Sequence, residues 1–345
     1  MVLGQVKPIV GGKAVESHAY PFVAYLSIET QPNWHAVCGG TLLSTTHVVT
    51  AGHCVHHATT PSTVKLGFGH THIKKQEIRR ARSITIHPLF NMRTLVNDIA
   101  VIELDQPIGP SERAHRIPVY FGPVTTGQKI TTMGWGITSN LPGARTVPVM
   151  NQVELEVADS KMCRGVDETF KDSNGPFVCT GTQPGNRDEC NGDSGSPAII
   201  TLGDSETHHE QHEPTRNRHR RHWHRGQRRW KQQRKSAKPE EAQTGEVRLV
   251  ALTSYGDNLR HEEHPPCGDP AGFGFSTHIA YYEQFLTNAT GLTRSQLEEP
   301  VQFNRKAAVV HTSGATSLTQ QPGTCWTMCV VVVFTIFVRL FRQQG

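Results

Sequence analysis

The stretch CNGDSGSP, residues 190–197, sets Ser194 between Asp193 and Gly195, with a second glycine at 192 and a proline closing the run. A serine hydroxyl is a weak nucleophile at neutral pH, so it needs a base within hydrogen-bond reach and a third group to orient that base. Working outward, VVTAGHCV (48–55) supplies His53 and NDIAVIEL (97–104) supplies Asp98, each in a strand-to-turn setting. Any one of the three is weak, and a lone histidine beside a cysteine is usually structural. In the order His, Asp, Ser, with IVGG (9–12), CGGTLL (38–43) and GWG (134–136) interleaved, they point to nucleophilic catalysis.

The surrounding texture agrees. From Ile9 to about Leu286 the chain runs in short apolar or alternating segments such as FVAYLSI (22–28), KITTMGW (129–135), PAIITL (197–202) and VRLVALTSYG (247–256), broken by Gly, Pro, Asn and Asp. Many short strands at this spacing predict an all-β barrel or sandwich. STHIAYYEQFL (276–286) is the one helical candidate, and it closes the region.

The three motifs together resemble those of the trypsin-like, chymotrypsin-fold serine endopeptidases over about residues 9–286. The resemblance implies two antiparallel six-stranded β-barrels, about 9–115 and 125–286, with the active site in the cleft between them and a helix at the C-terminal end. It implies Ser194 as nucleophile, His53 as general base and then acid, and Asp98 as the carboxylate that fixes the histidine tautomer. The backbone N–H groups of Gly192 and Ser194 would form the oxyanion hole. Asp188, six positions before the serine, would floor the specificity pocket. A buried carboxylate is favourable there only when a cation pairs with it, which implies cleavage after Arg or Lys.

Glu189 would add a second acid on the pocket wall. In TSYGD (253–257), Ser254 would approach Asp98, Tyr255 stands where the family commonly has tryptophan, and Gly256 would leave room for a long substrate side chain. Gly274 would face it from the other wall, with Gly272 competing for that alignment. Ten residues, DNLRHEEHPP, separate Gly256 from Cys267, which implies an altered pocket rim. Gly52 and Ser196 depart from the family pattern beside catalytic positions without removing a reacting group. The implied disulfides are Cys38–Cys54, Cys163–Cys179 and Cys190–Cys267. In relatives a freed amine at the IVGG start pairs with the acid before the nucleophile, here Ile9 with Asp193. The bond to be cut would be Pro8–Ile9, with residues 1–8 a short propeptide-like segment.

The eight cysteines show neither CxxC pairs nor zinc spacing, and they suit an oxidising, extracellular compartment. Asn288-Ala289-Thr290 is an N-glycosylation candidate. MVLGQVKP is too short and weakly apolar for a signal peptide. No cofactor and no resident metal are expected; His208, His209 and His212 lie in a segment that preorganises nothing.

The formal charge of +5 belongs to one tract. Residues 216–238 hold eleven Lys/Arg and no acid, leaving 24 basic against 30 acidic residues elsewhere. Residues 203–246 lack any apolar period and are expected to be a disordered insertion within the domain. With Trp223 and Trp230, the basic tract could bind a polyanion weakly. Residues 287–324 read as a polar linker and 325–341 as a hydrophobic tail, short for a membrane span of ~20 residues. Cys325 and Cys329 lie in that tail. The leading expectation is a monomeric, secreted endopeptidase acting on protein or peptide substrates, with the tail as a candidate anchor. A catalytically silent, protease-like binding protein is the alternative.

Overall fold

A computed structural model of the chain describes residues 12–31, 34–109, 113–181, 188–203, 245–262 and 265–301. Ile9 and the first eight residues, His208, His209 and His212, the basic tract with its two tryptophans, and the tail with Cys325 and Cys329 lie outside the described residues.

Thirteen strands are described, arranged in two sheets. After a short β1 (Lys13–Ala14) come β2 (Val23–Gln31), β3 (Trp34–Leu42), β4 (His47–Thr50), β5 (Val64–Phe68), β6 (Glu77–Ile86) and β7 (Ala100–Leu104). The latter six close into an antiparallel barrel in the order β2-β3-β4-β7-β6-β5. The remainder are β8 (Lys129–Gly134), β9 (Asn151–Val157), β10 (Phe177–Gly181), β11 (Pro197–Leu202), β12 (Glu246–Asn258) and β13 (Gly272–His278). They run β9-β10-β13-β12-β11-β8, and pairing of β9 with β8 closes the ring, with β1 added on β9. This is the all-β, two-barrel architecture expected of the chymotrypsin fold.

Side-chain alternation drives the pairing. In β9, Val153, Leu155 and Val157 are buried while Glu154 and Glu156 face solvent, the period-2 pattern of a half-buried strand. β13 is buried along its whole length, consistent with its central place between β10 and β12. Each barrel has its own apolar core. A third core, with Val49, Ile99 and Val101 from one barrel and Met133, Trp135, Ile199 and Leu249 from the other, joins them. The Trp135 indole N–H donates to the Thr71 carbonyl at 2.8 Å across that seam.

The C-terminal boundary differs from the sequence reading. Ser276–His278 remain in β13, because they pair with Phe177–Val178 of β10 and Ala251–Thr253 of β12. A 3-10 turn, Ile279–Tyr282, then leads into a helix at Glu283–Thr290. Folded structure also continues past residue 286, where a linker was expected. A short helix, Arg294–Glu298, starts with a Thr293/Gln296 capping box and buries Leu297 in the joining core. No helix among the described residues is long and apolar enough to cross a membrane.

Candidate active site

His53 sits on a single helical turn, Gly52–Val55, immediately after β4, and Cys54 ties that turn to β3 through the Cys38–Cys54 disulfide. Asp98 is fully buried just before β7 and grips the histidine at two points. Its Oδ1 accepts the His53 backbone N–H at 2.7 Å, and its Oδ2 lies 2.8 Å from His53 Nδ1. A carboxylate can only accept, so Nδ1 carries the proton and Nε2 is left with its lone pair free to act as a base.

Two hydroxyls fix Asp98 in turn. Ser254 Oγ donates to Oδ2 at 2.5 Å and Thr277 Oγ1 donates to the Asp98 carbonyl at 2.9 Å. The register of β12 against β13 shifts between Thr253 and Tyr255, a bulge that re-aims Ser254 toward the carboxylate. Gly52 leaves this carboxylate room, since a Cβ there would lie 3.3 Å from Asp98 Oδ1.

Ser194 lies in the turn between the Cys190–Cys267 disulfide and β11. The turn is held by Asp193 N–H to the Cys190 carbonyl, Ser196 N–H to the Asp193 carbonyl, Gly195 N–H to the Thr253 carbonyl and Gly39 N–H to the Ser194 carbonyl, all at 2.7–3.0 Å. Gly192 has φ +96° and Gly195 φ +73°, left-handed conformations that explain the glycines flanking the Asp-Ser pair. Ser194 and His53 line one cavity of about 380 Å³. Among the described residues Ser194 Oγ makes no hydrogen bond to the ring, whose Nε2 lies 3.8 Å from Cys54 Sγ. Such contacts commonly tighten only when substrate is bound.

Asp193 points inward. Gly136 N–H donates to its Oδ1 at 2.8 Å and Cys190 N–H to its Oδ2 at 3.1 Å. A Cβ at Gly134 or Gly136 would come within 2.2–2.4 Å of this carboxylate, so the GWG motif is the space that Asp193 fills. Burial pushes the Asp193 carboxyl up to about 7 against those two backbone donors. Its expected partner, the amine of Ile9, lies outside the described residues.

Beside Asp193, the Ser196 hydroxyl is buried with no hydrogen-bond partner among the described residues. Leaving a hydroxyl so costs about 1–3 kcal/mol. Ser196→Ala is therefore expected to raise the melting temperature, by about 2–4 °C per kcal/mol recovered in a domain of this size. Scanning calorimetry of the two proteins measures it, and an unchanged or lowered midpoint would show that the hydroxyl is satisfied.

The same cavity collects the residues expected to select substrate: Asp188, Glu189, Ser254, Tyr255, Gly256 and Gly274 all line it. Gly256 and Gly274 are directly paired across β12 and β13. Gly272 also lines the cavity but pairs with Asn258, farther along the ladder. Asp188 is held by the Glu189 and Gly268 backbone N–H groups, each at 2.9 Å. Burial raises its carboxyl to about 6, with those two bonds opposing. Burial raises Glu189 further, to about 8, although the Thr253 hydroxyl donates to its Oε1 at 2.8 Å.

Tyr255 stacks on Phe275 at 4.9 Å and donates its hydroxyl to Asp167 at 3.1 Å, so the ring standing in for tryptophan is anchored at both ends. Burial and the Asp167 charge push its phenol far up. The long segment after Gly256 brings Asp257, Pro265 and Pro266 to the rim. Arg260 and Asn258 brace it through Asp269, Asn258 at 2.8 Å.

Sequence reasoning missed Thr277 and Thr253. A threonine in a buried strand carries no local signal of what it supports. Cys163–Cys179 closes the third disulfide. Asn288 is exposed on the C-terminal helix and lines a separate cavity with His87 and Phe285. The single cluster of three metal-ligating types among the described residues is Cys38, His53 and Cys54, and its two sulfurs are already bonded to each other.

The comparisons with known proteins follow the same outline. The family model described as Trypsin matches residues 9–206. Trypsin from Phaedon cochleariae is 31% identical over 197 residues, covering 56% of this chain and 74% of the relative. Human granzyme M is 30% identical over 199 residues, covering 56% and 74%. Mouse ovochymase-2 is 33% identical over 196 residues, but the chain spans only 31% of its length.

Proposed function

The chain belongs to the trypsin family of serine proteases, and from that premise we propose that it is an active, extracellular endopeptidase that hydrolyses peptide bonds after Arg or Lys. One observation carries the reading. Asp98 holds His53 at two points, and His53 lines one cavity together with Ser194 and Asp188.

Ser194 Oγ attacks the scissile carbonyl while His53 Nε2 takes its proton. The carbonyl oxygen becomes an oxyanion received by the Gly192 and Ser194 N–H groups, which have no acceptor among the described residues. The intermediate collapses as His53 returns the proton to the leaving amine, and the acyl group stays on Ser194. Water, deprotonated by His53, then releases the acid and restores the hydroxyl. Asp98 keeps the imidazole in one tautomer and stabilises the imidazolium that forms twice per cycle.

Three disulfides support an oxidising compartment outside the cell. A substrate-derived cation in the pocket would neutralise Asp188, whose carboxyl burial raises to about 6 against the two backbone N–H groups that hold it. Activation by pairing of the Ile9 amine with Asp193 is part of the same reading.

The test is digestion of a mixed, unstructured peptide library by the protein with Ile9 as its first residue, with mass spectrometry of the new termini. New C-termini ending in Arg or Lys are expected, together with fluorophosphonate labelling that Ser194→Ala removes. Labelling without cleavage after basic residues would sink the specificity, and no labelling would favour a catalytically silent binding protein.

A further inference from the structure

The pocket holds two carboxylates where cation recognition needs one. Asp188 and Glu189 are consecutive, both line the cavity, and they are held differently. Asp188 is fixed by two backbone N–H groups, one on each oxygen, which leaves each oxygen a further lone pair for an incoming cation. Glu189 is buried in the wall, where the Thr253 hydroxyl occupies Oε1 and the Thr132 hydroxyl is a second polar support. Its Oε2 faces the space left by a missing side chain, since a Cβ at Gly274 would lie 3.7 Å from it. The wall opposite a long substrate residue is thus bare backbone backed by an acid.

Arginine and lysine would use this arrangement differently. A guanidinium is a planar fork of five N–H donors, whereas an ammonium is a compact charge with three. One carboxylate takes at most two of the guanidinium donors in a bidentate pair. The others would be buried without acceptors, and a desolvated donor left unpaired is costly. An ammonium is neutralised by one acid, which leaves at most one of its three donors over, so it gains less from a second acid than a guanidinium does.

We propose that Glu189 makes this pocket prefer Arg over Lys, its carboxylate accepting the guanidinium N–H groups that Asp188 leaves free. In the empty pocket burial and the Asp188 charge keep Glu189 largely protonated, and an entering guanidinium displaces that proton to solvent. The inference rests on the reading that Asp188 receives a basic side chain.

The experiment measures kcat/KM for two peptides that differ only in Arg or Lys before the scissile bond, on the wild type, Glu189→Gln and Glu189→Ser. Glu189→Gln keeps the shape and an acceptor for Thr253. Glu189→Ser removes the acid with less bulk. The wild type is expected to favour Arg, and both variants are expected to lower the Arg/Lys ratio about tenfold, mainly through the KM of the Arg peptide. A purely structural role would lower both substrates together and leave the ratio alone. Active enzyme is counted by fluorophosphonate labelling, so a fall in folded protein does not enter the ratio. A ratio within twofold of wild type in both variants would overturn the assignment of Glu189 while leaving cleavage after basic residues intact. Wild-type cleavage after neither residue would overturn both.

Discussion

Asparagine in place of Asp98 is expected to lower kcat by about 10⁴ while leaving KM close to the wild-type value. The carboxylate is fully buried and touches no part of the cavity that substrate would occupy, so ground-state binding has little reason to change. The fault is in the proton. The amide oxygen can still accept the His53 backbone N–H, which turns the NH₂ group toward Nδ1, now 2.8 Å from Oδ2. Two donors cannot share that line, so the ring shifts its proton to Nε2 and can no longer accept one from Ser194. Ser254, which donates to the same oxygen, would also lose its acceptor. Steady-state kinetics with a basic peptide and the rate of fluorophosphonate labelling should fall together. A loss of less than tenfold would mean that His53 is oriented by something other than Asp98.

Serine in place of Asp188 is the second large change. Removing one partner of a buried charge pair costs about 3–5 kcal/mol, because the surviving charge is stranded. At 1.4 kcal/mol per decade that is a fall of about 10²–10⁴ in kcat/KM for Arg and Lys peptides. The loss should sit in both substrates, in contrast to the selective effect expected at Glu189. The serine hydroxyl cannot satisfy both the Glu189 and Gly268 N–H groups, so some loosening of the pocket floor accompanies the loss of charge. Labelling of Ser194 should survive, since no contact of His53 or Asp98 changes. Unaltered cleavage after basic residues in this variant would remove Asp188 from the pocket floor and overturn the specificity reading.

Much of the candidate site's geometry is legible in the sequence because its residues also solve backbone problems. Gly192 and Gly195 are required by left-handed φ angles, and the glycines of GWG by the bulk of Asp193, so the motifs record steric demands that any sequence with this turn must meet. PAIITL (197–202) likewise reads as a strand in sequence, and it forms β11 over the same residues.

What stayed hidden depends on register and long-range packing. Ser276–His278 look helical in sequence because they run on into IAYY, yet two flanking strands hold them extended. Thr277 and Thr253 matter through partners 179 and 64 residues away, a relation that no local pattern contains. Leu297 looked like part of a polar linker because a single apolar residue among charges carries no periodicity, although it seals the joining core.

The Cys190–Cys267 disulfide spans 77 residues and encloses the whole connection between β11 and β12. Eleven Lys/Arg lie in that connection, and Leu202 and Glu246 are paired at its root. A peptide bond broken there liberates nothing: the two pieces stay joined by sulfur and by a strand ladder. The molecule would gain only the one water consumed and elute as one species, and reduction with unfolding would separate it into two polypeptides. Intactness measured by size and intactness of the covalent backbone are thus separate properties of this protein.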